Sequence, residues 1–223
     1  MTVSVQDVAR RIREVGIVPV LRASSSEQAV VAAEAVSSGG IPIVEITMTV
    51  PRAIEVIAQL ARRASDEVLI GAGTVLDAET AERCLDAGAM FIVSPGLDRA
   101  TIEAVKRQGR LMMAGALTPT EVIAAWKEGS DFVKIFPCGS MGGAKYLKAL
   151  KAPLPQVPMI PTGGVNLETA AELIRAGAEA LGIGGELVSP AALARGDAQA
   201  ITQAARQYVT IVRQTREENR AQR

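Results

Sequence analysis

One lysine stands inside the apolar, strand-forming run Asp131-Phe132-Val133-Lys134-Ile135-Phe136-Pro137. Side chains alternate along a strand, so Phe132, Lys134 and Phe136 share a face while Val133 and Ile135 take the other. Desolvation disfavours the ammonium form of a lysine, and the neutral amine is a nucleophile for carbonyl carbons. The plain alternative is a charge on an exposed edge strand, guarding it against stray pairing. The run alone leaves both readings open.

The run Pro42-Ile43-Val44-Glu45-Ile46-Thr47 has the same character, with Ile43, Glu45 and Thr47 on one face. A buried carboxylate is tuned upward into the range of a useful acid or base, although it also serves as the partner of a buried cation. Arg22 ends the run Val18-Pro19-Val20-Leu21-Arg22 on the face of Val18 and Val20. It could pair with Glu45 or clamp a carboxylate or phosphate. Thr74 follows Gly71-Ala72-Gly73, and Thr162 follows Met159-Ile160-Pro161, each just past an apolar run. Two glycine pairs, Gly163-Gly164 and Gly184-Gly185, allow backbone amides to come close to an anion.

Composition narrows the chemistry. Histidine is absent, which removes the commonest general base and the commonest ligand of catalytic zinc. Proton transfer falls to carboxylates, lysine, tyrosine, thiols or water, and neither a metal nor a cofactor is expected. Cys84 and Cys138 have no metal-ligand spacing and make no disulfide framework, so both read as free thiols. Lys plus Arg number 24 against 24 Asp plus Glu, which gives no electrostatic reason to bind nucleic acid or an anionic membrane. No segment approaches the roughly 20 apolar residues of a membrane span, and Met1 to Arg13 lack a leader's pattern. A cytoplasmic location is the expectation.

The elements that must position these residues alternate along the chain. After an amphipathic helix over 5–15, strands are expected at Ile17–Arg22, Pro42–Thr47, Leu69–Ala72, Phe91–Ser94, Leu111–Ala114, Phe132–Phe136, Met159–Thr162 and Leu181–Gly184. Helical patterns lie between them. They start at Ser24 to Ser26, Asp77-Ala78-Glu79, Thr118-Pro119-Thr120-Glu121 and Asn166-Leu167-Glu168-Thr169, and Gly39, Gly88, Gly109, Gly129 and Gly177 are placed as left-handed C-caps. Eight strand-helix units with right-handed crossovers predict a single α/β domain over 1–223, a (β/α)8 TIM barrel spanning about 16–188 with an additional N-terminal helix. An open doubly wound sheet is the runner-up. From Pro190 onward one long helix is expected, fraying in the polar tail Thr215 to Arg223.

Active sites of such barrels lie at the C-terminal ends of the strands. Arg22, Glu45, Thr47, Thr74, Lys134 and Thr162 then converge on one rim, with the two glycine pairs in the last two loops, where barrels frequently bind phosphate.

On the segments Val44-Glu45-Ile46-Thr47, Gly71-Ala72-Gly73-Thr74-Val75, Ser94-Pro95-Gly96, Lys134-Ile135-Phe136-Pro137 and Pro161-Thr162-Gly163-Gly164-Val165, the chain resembles a family of class I aldolases. These are the 2-keto-3-deoxy-6-phosphogluconate (KDPG) and 4-hydroxy-2-oxoglutarate (KHG) aldolases, and the resemblance runs from about Gly16 to Val188. It implies that Lys134 forms a Schiff base with the 2-keto group and that Glu45 relays protons, partly through water. It also implies that Thr74 and Thr162 hold the pyruvate carboxylate, that Arg22, Thr47, Pro95 and Phe136 belong to the same end of the site, and that Gly163, Gly164, Gly184 and Gly185 receive a phosphate. The implied assembly is a homotrimer. The implied reaction is reversible cleavage of KDPG to pyruvate and glyceraldehyde 3-phosphate, with KHG (yielding glyoxylate) or the 6-phosphogalactonate epimer as alternative substrates.

Two positions depart from that pattern. Many gluconate-type members carry an arginine four residues after the glutamate, where Thr49 stands here and Arg22 would supply the charge; Gly185 stands where other members place a phosphate-binding serine. Two rival functions remain beside the aldolase. One is a metal-independent, phosphate-binding isomerase in which Glu45 abstracts a proton and Lys134 only stabilises charge. The other is a catalytically silent barrel scaffold. Covalent trapping of an imine separates them.

Overall fold

The computed structural model describes residues 3–63 and 68–221. Its elements run α1 (Val5–Val15), β1 (Ile17–Leu21), α2 (Ser26–Ser38), β2 (Ile43–Thr47), α3 (Ala53–Arg63), β3 (Leu69–Gly73), α4 (Ala78–Asp86), β4 (Phe91–Val93) and α5 (Arg99–Arg107). They continue through β5 (Leu111–Ala116), α6 (Pro119–Lys127), β6 (Phe132–Ile135), α7 (Ala144–Lys151), β7 (Met159–Pro161), α8 (Ala170–Arg175), β8 (Leu181–Ile183), α9 (Pro190–Ala194) and α10 (Ala198–Ala221). A 3-10 turn, Gly139–Met141, lies between β6 and α7.

The eight strands are parallel, in the order β7-β6-β5-β4-β3-β2-β1-β8. The bridge Thr162↔Gly182 joins β7 to β8 and brings the sheet round on itself, so the molecule is a (β/α)8 barrel rather than an open doubly wound sheet. Every strand residue is buried, as a parallel sheet wrapped in helices requires.

Local chemistry sets the helix ends. Ser4, Ser25 and Asp77 accept N–H bonds from Asp7, Gln28 and Thr80, and Thr118 with Glu121 forms a reciprocal capping box at α6. Gly88, Gly109, Gly129 and Gly177 do take left-handed backbone after their helices. Gly39 does not, because its φ is −83° and the left-handed position is Gly40. Gly39 is needed for closeness instead: a Cβ there would sit 2.4 Å from the Ala205 Cβ of α10.

The C-terminal segment also differs from the sequence expectation. It is two helices, since Gly196, at φ 68°, separates α9 from α10. The polar tail does not fray at Thr215: α10 continues to Ala221, and Thr215 is buried. Arg216 holds it in place, donating to the carbonyls of Arg13, Glu14 and Glu179 at 2.7, 3.0 and 2.8 Å. The bonds to Arg13 and Glu14 satisfy carbonyls that the end of α1 leaves open. Gln222 and Arg223 lie outside the described residues.

α1 packs across the N-terminal ends of the strands. Arg13 lies 4.9 Å from the centroid of the Phe132 ring at the start of β6 and pairs with Glu179 ahead of β8 at 2.9 Å. Chemistry is thereby left to the opposite end of the barrel.

Candidate active site

β6 carries the lysine, and its N-terminal approach is tightly fixed. The Asp131 carboxylate accepts from the Met112 amide and from Lys106 Nζ, each at 2.8 Å. The Ser130 hydroxyl accepts from the Ala114 amide at 2.8 Å and donates to the Phe132 carbonyl at 2.6 Å. These bonds lock β6 to β5 with Lys134 opposite Gly115 and, on the other side, Ile160. Lys134 is therefore aimed into the barrel by backbone that has no freedom to turn it outward.

Lys134 and Glu45 meet inside. Their side chains are 7% and 2% exposed, and Nζ lies 3.9 Å from Glu45 Oε1. Glu45 Oε1 is buried with no hydrogen-bond partner among the described residues. Burial pushes the Glu45 carboxyl above its ordinary value, against the opposing pull of the positive charges of Lys134 and Arg22. Replacing a buried ion pair with apolar residues is often neutral or stabilising by about 1–4 kcal/mol, so the fold gains nothing that explains this pair. An orphaned carboxylate oxygen facing an amine is a place where a substrate hydroxyl or a water completes the hydrogen bonding.

Small residues carve the space. A Cβ at Gly73, on β3, would lie 1.9 Å from Glu45 Oε1, and one at Gly182, on β8, would lie 2.0 Å from Thr162 Oγ1. On β5 a Cβ at Gly115 would strike the Pro95 carbonyl oxygen at 2.3 Å, which places the Pro95-Gly96 turn against the strand beside Lys134. None of these glycines has the positive φ that would make conformation the reason for it.

The structure brings Arg22, Phe136, Thr162, Gly163, Gly164, Gly184 and Gly185 together around a cavity of about 210 Å³. Phe136 links it to the lysine, whose Nζ lies 5.4 Å from the ring centroid. Backbone bonds from Cys138 and Gly139 to the carbonyls of Thr162 and Gly163, both 2.9 Å, join the β6 and β7 loops. The amides of Gly164 and Gly185 donate to no group among the described residues.

Thr47, Thr74 and Pro95 are not on the wall of that cavity. The Thr47 hydroxyl donates to the Leu21 carbonyl at 3.0 Å and lies 2.6 Å from the Thr49 hydroxyl, so it ties β2 to β1 just before Arg22. Thr74 directly follows β3 with φ at 57°, in the left-handed region. A β-branched residue is strained there, typically by about 1–3 kcal/mol, and such strain concentrates at functional sites.

Sequence reasoning passed over the locking pair Ser130 and Asp131, and also Glu186, which lies on the cavity wall. The position of Glu186 directly after the Gly184-Gly185 pair was the available signal. Among the described residues no group of three or more His, Cys, Asp or Glu side chains could hold a metal ion.

Comparison with known proteins fits this geometry. Residues 8–204 match the family model described as KDPG and KHG aldolase. The chain belongs to that family. It is 36% identical over 202 residues to the 2-dehydro-3-deoxy-phosphogluconate aldolase of Treponema pallidum, covering 90% of this chain and 95% of the relative. It is 34% identical over 194 residues to the KHG/KDPG aldolase of Escherichia coli, covering 86% and 90%. Its fold overlays that of the Legionella pneumophila KDPG aldolase with a TM-score of 0.82 at 30% identity, covering 89% of this chain and 96% of that one. That crystal structure holds pyruvate captured as a covalent carbinolamine. Membership in the KDPG and KHG aldolase family thus rests on most of the chain, including every segment that builds the Lys134–Glu45 centre.

Proposed function

We propose that this protein is a class I aldolase that reversibly cleaves a 4-hydroxy-2-keto acid to pyruvate and an aldehyde, working through a Schiff base on Lys134. The observation that carries the reading is the buried amine of Lys134 3.9 Å from an otherwise unpartnered Glu45 carboxylate oxygen. Relatives named as KDPG and KHG/KDPG aldolases support the same reaction class.

The steps follow from those two groups. The Lys134 amine adds to the C2 ketone to give a carbinolamine, and loss of water leaves a protonated imine. Glu45 removes the proton from the C4 hydroxyl, the C3–C4 bond breaks, and its electron pair flows into the imine to form an enamine. The C4 fragment departs as the aldehyde. Glu45 returns a proton to C3, and water hydrolyses the resulting imine to free pyruvate and Lys134. The imine nitrogen is the electron sink throughout.

Around this centre, Thr74 and Thr162 hold the pyruvate carboxylate. Phe136, Pro95 and Thr47 shape and brace that end, and Arg22 supplies positive charge. The loops of Gly163-Gly164 and Gly184-Gly185 receive the far end of the substrate. The working assembly is a homotrimer in the cytoplasm; among the described residues, no helix is long and apolar enough to cross a membrane.

Lys134→Met tests the reading. The variant is expected to fold, by circular dichroism, and to lose turnover by at least about 10³-fold. Turnover near the wild-type rate in folded Lys134→Met would remove Lys134 from the mechanism.

A further inference from the structure

β4 ends at Val93, and the chain leaves the sheet through Ser94-Pro95-Gly96. The Ser94 amide still donates to the Met113 carbonyl at 3.2 Å, continuing the ladder to β5 by one residue. In a regular parallel ladder the Ser94 carbonyl would then accept from the Gly115 amide, and Pro95, with no N–H, could donate nothing further. Here the Ser94 hydroxyl takes over. It accepts from the Gly115 amide at 3.4 Å and donates to the Gly96 carbonyl at 2.7 Å, so one buried side chain ties the departing turn to β5.

The turn it holds lies inside the barrel. Gly115 is in register with Lys134, and residues side by side in a parallel sheet face the same way. That face is the interior, where Lys134 meets Glu45. A single peptide group fills the space that a side chain at Gly115 would take: a Cβ there would lie 2.2 Å from the Pro95 carbonyl carbon, 2.3 Å from its oxygen and 2.4 Å from the Gly96 nitrogen. Neither that carbonyl nor the Gly96 amide has a hydrogen-bond partner among the described residues. A peptide with a free donor and a free acceptor therefore stands at the position on β5 beside the reacting amine. When an amine adds to a ketone, the ketone oxygen becomes a hydroxyl that leaves as water, and the nitrogen keeps one proton as the iminium. Fixed dipoles next to that centre stabilise the charge that develops on both atoms.

We propose that Ser94 is a positioning residue for Schiff-base formation, its hydroxyl fixing the Pro95-Gly96 peptide over Gly115 so that this peptide orients the 2-keto group against Lys134. The proposal rests on the aldolase reading and adds a residue to it. Ser94 itself touches no reacting atom. Without the hydroxyl, the Gly115 amide loses its acceptor and the Gly96 carbonyl its donor, and the Ser94 amide becomes the turn's only hydrogen bond to β5 among the described residues. The step that suffers is imine formation, which precedes carbon-carbon cleavage.

The test follows the rate at which pyruvate is trapped on Lys134, with borohydride in excess so that imine formation limits, across pyruvate concentrations in the wild type, Ser94→Ala and Ser94→Thr. Circular dichroism and Tm are measured alongside. Ser94→Ala is expected to fold and to form the adduct about 10- to 100-fold more slowly at saturating pyruvate, as a displacement approaching ~1 Å at reacting groups would cause. Ser94→Thr keeps the hydroxyl and is expected to stay within about threefold of the wild type. A residue that only supported the fold would lower Tm without slowing trapping in the folded protein. Trapping within about twofold of the wild type in folded Ser94→Ala overturns the proposal, and so does equal slowing in Ser94→Ala and Ser94→Thr. Should Ser94→Ala not fold, Ser94→Cys decides, because it fills the same space with a weak donor: slowed trapping supports the proposal and a wild-type rate overturns it. Absence of any adduct in the wild type discards the aldolase reading beneath, whereas a wild-type adduct with unslowed Ser94→Ala discards only the role of Ser94.

Discussion

Gly73→Ala should disable the site by pushing Glu45 aside while leaving the lysine in place. A Cβ at Gly73 would lie 1.9 Å from Glu45 Oε1, 2.5 Å from Cδ and 2.6 Å from Cγ. The oxygen is therefore about 1.5 Å short of the 3.4 Å at which ordinary contact begins. Glu45 is buried on every side, so its carboxylate must rotate away from Lys134 or β3 must shift. A misplacement of about 1 Å at reacting groups commonly costs about 100-fold in rate, and overpacking costs about 1–3 kcal/mol in stability. The expected result is a kcat about 100-fold lower in a folded protein with a modestly reduced Tm. The assay couples pyruvate release to lactate dehydrogenase, with borohydride trapping of pyruvate in parallel. Trapping should persist, because the atoms nearest the new methyl group all belong to Glu45, while Lys134 is carried by β6. Wild-type turnover in Gly73→Ala would refute the placement of Glu45 as the proton relay.

Stability should depend on pH through Glu45. Its folded value is raised, so folding keeps its proton while the unfolded chain loses it near 4.5. Stability from this group is full below that value and declines as pH rises through the raised folded value. Thermal melts from about pH 5 to about pH 8 should show Glu45→Gln gaining on the wild type as pH increases, and parallel curves would contradict the assignment. Arg216→Ala should lower stability by about 3 kcal/mol in urea titrations, since it removes bonds to three carbonyls of α1 and the β8 approach, and an unchanged midpoint would show that α10 is held otherwise. Burial pushes the thiols of Cys84 and Cys138 up to about 11. Both should resist a thiol-specific disulfide reagent near neutrality until denaturant is added, and rapid native labelling of either would show that the site opens.

Much of the barrel is legible in the sequence because its rules are local. Alternation and turn chemistry place all eight strands and α1, and Ser25, Asp77 and Thr118 mark helix starts through their own side-chain bonds. The convergence of Lys134 and Glu45 is legible as well, since both are charged residues within apolar strands. Close approach between distant segments is not. Gly73, Gly115 and Gly182 look like weak strand residues until the side chain or carbonyl occupying their space is seen. Gly39 looks like a cap because it ends a helix, yet contact with α10 fixes it while Gly40 takes the left-handed turn. The tail beyond Thr215 looks disposable because it is polar. Arg216 finds two of its carbonyl partners, on Arg13 and Glu14, about 200 residues back along the chain, a separation that no local pattern carries.

The most direct test of the central claim is peptide mass spectrometry after incubating the folded protein with pyruvate and borohydride. An imine at the lysine predicts a single reduced pyruvate adduct on the peptide containing Lys134, absent from Lys134→Met. No adduct on folded protein, or an adduct on another lysine, would contradict the Schiff-base mechanism.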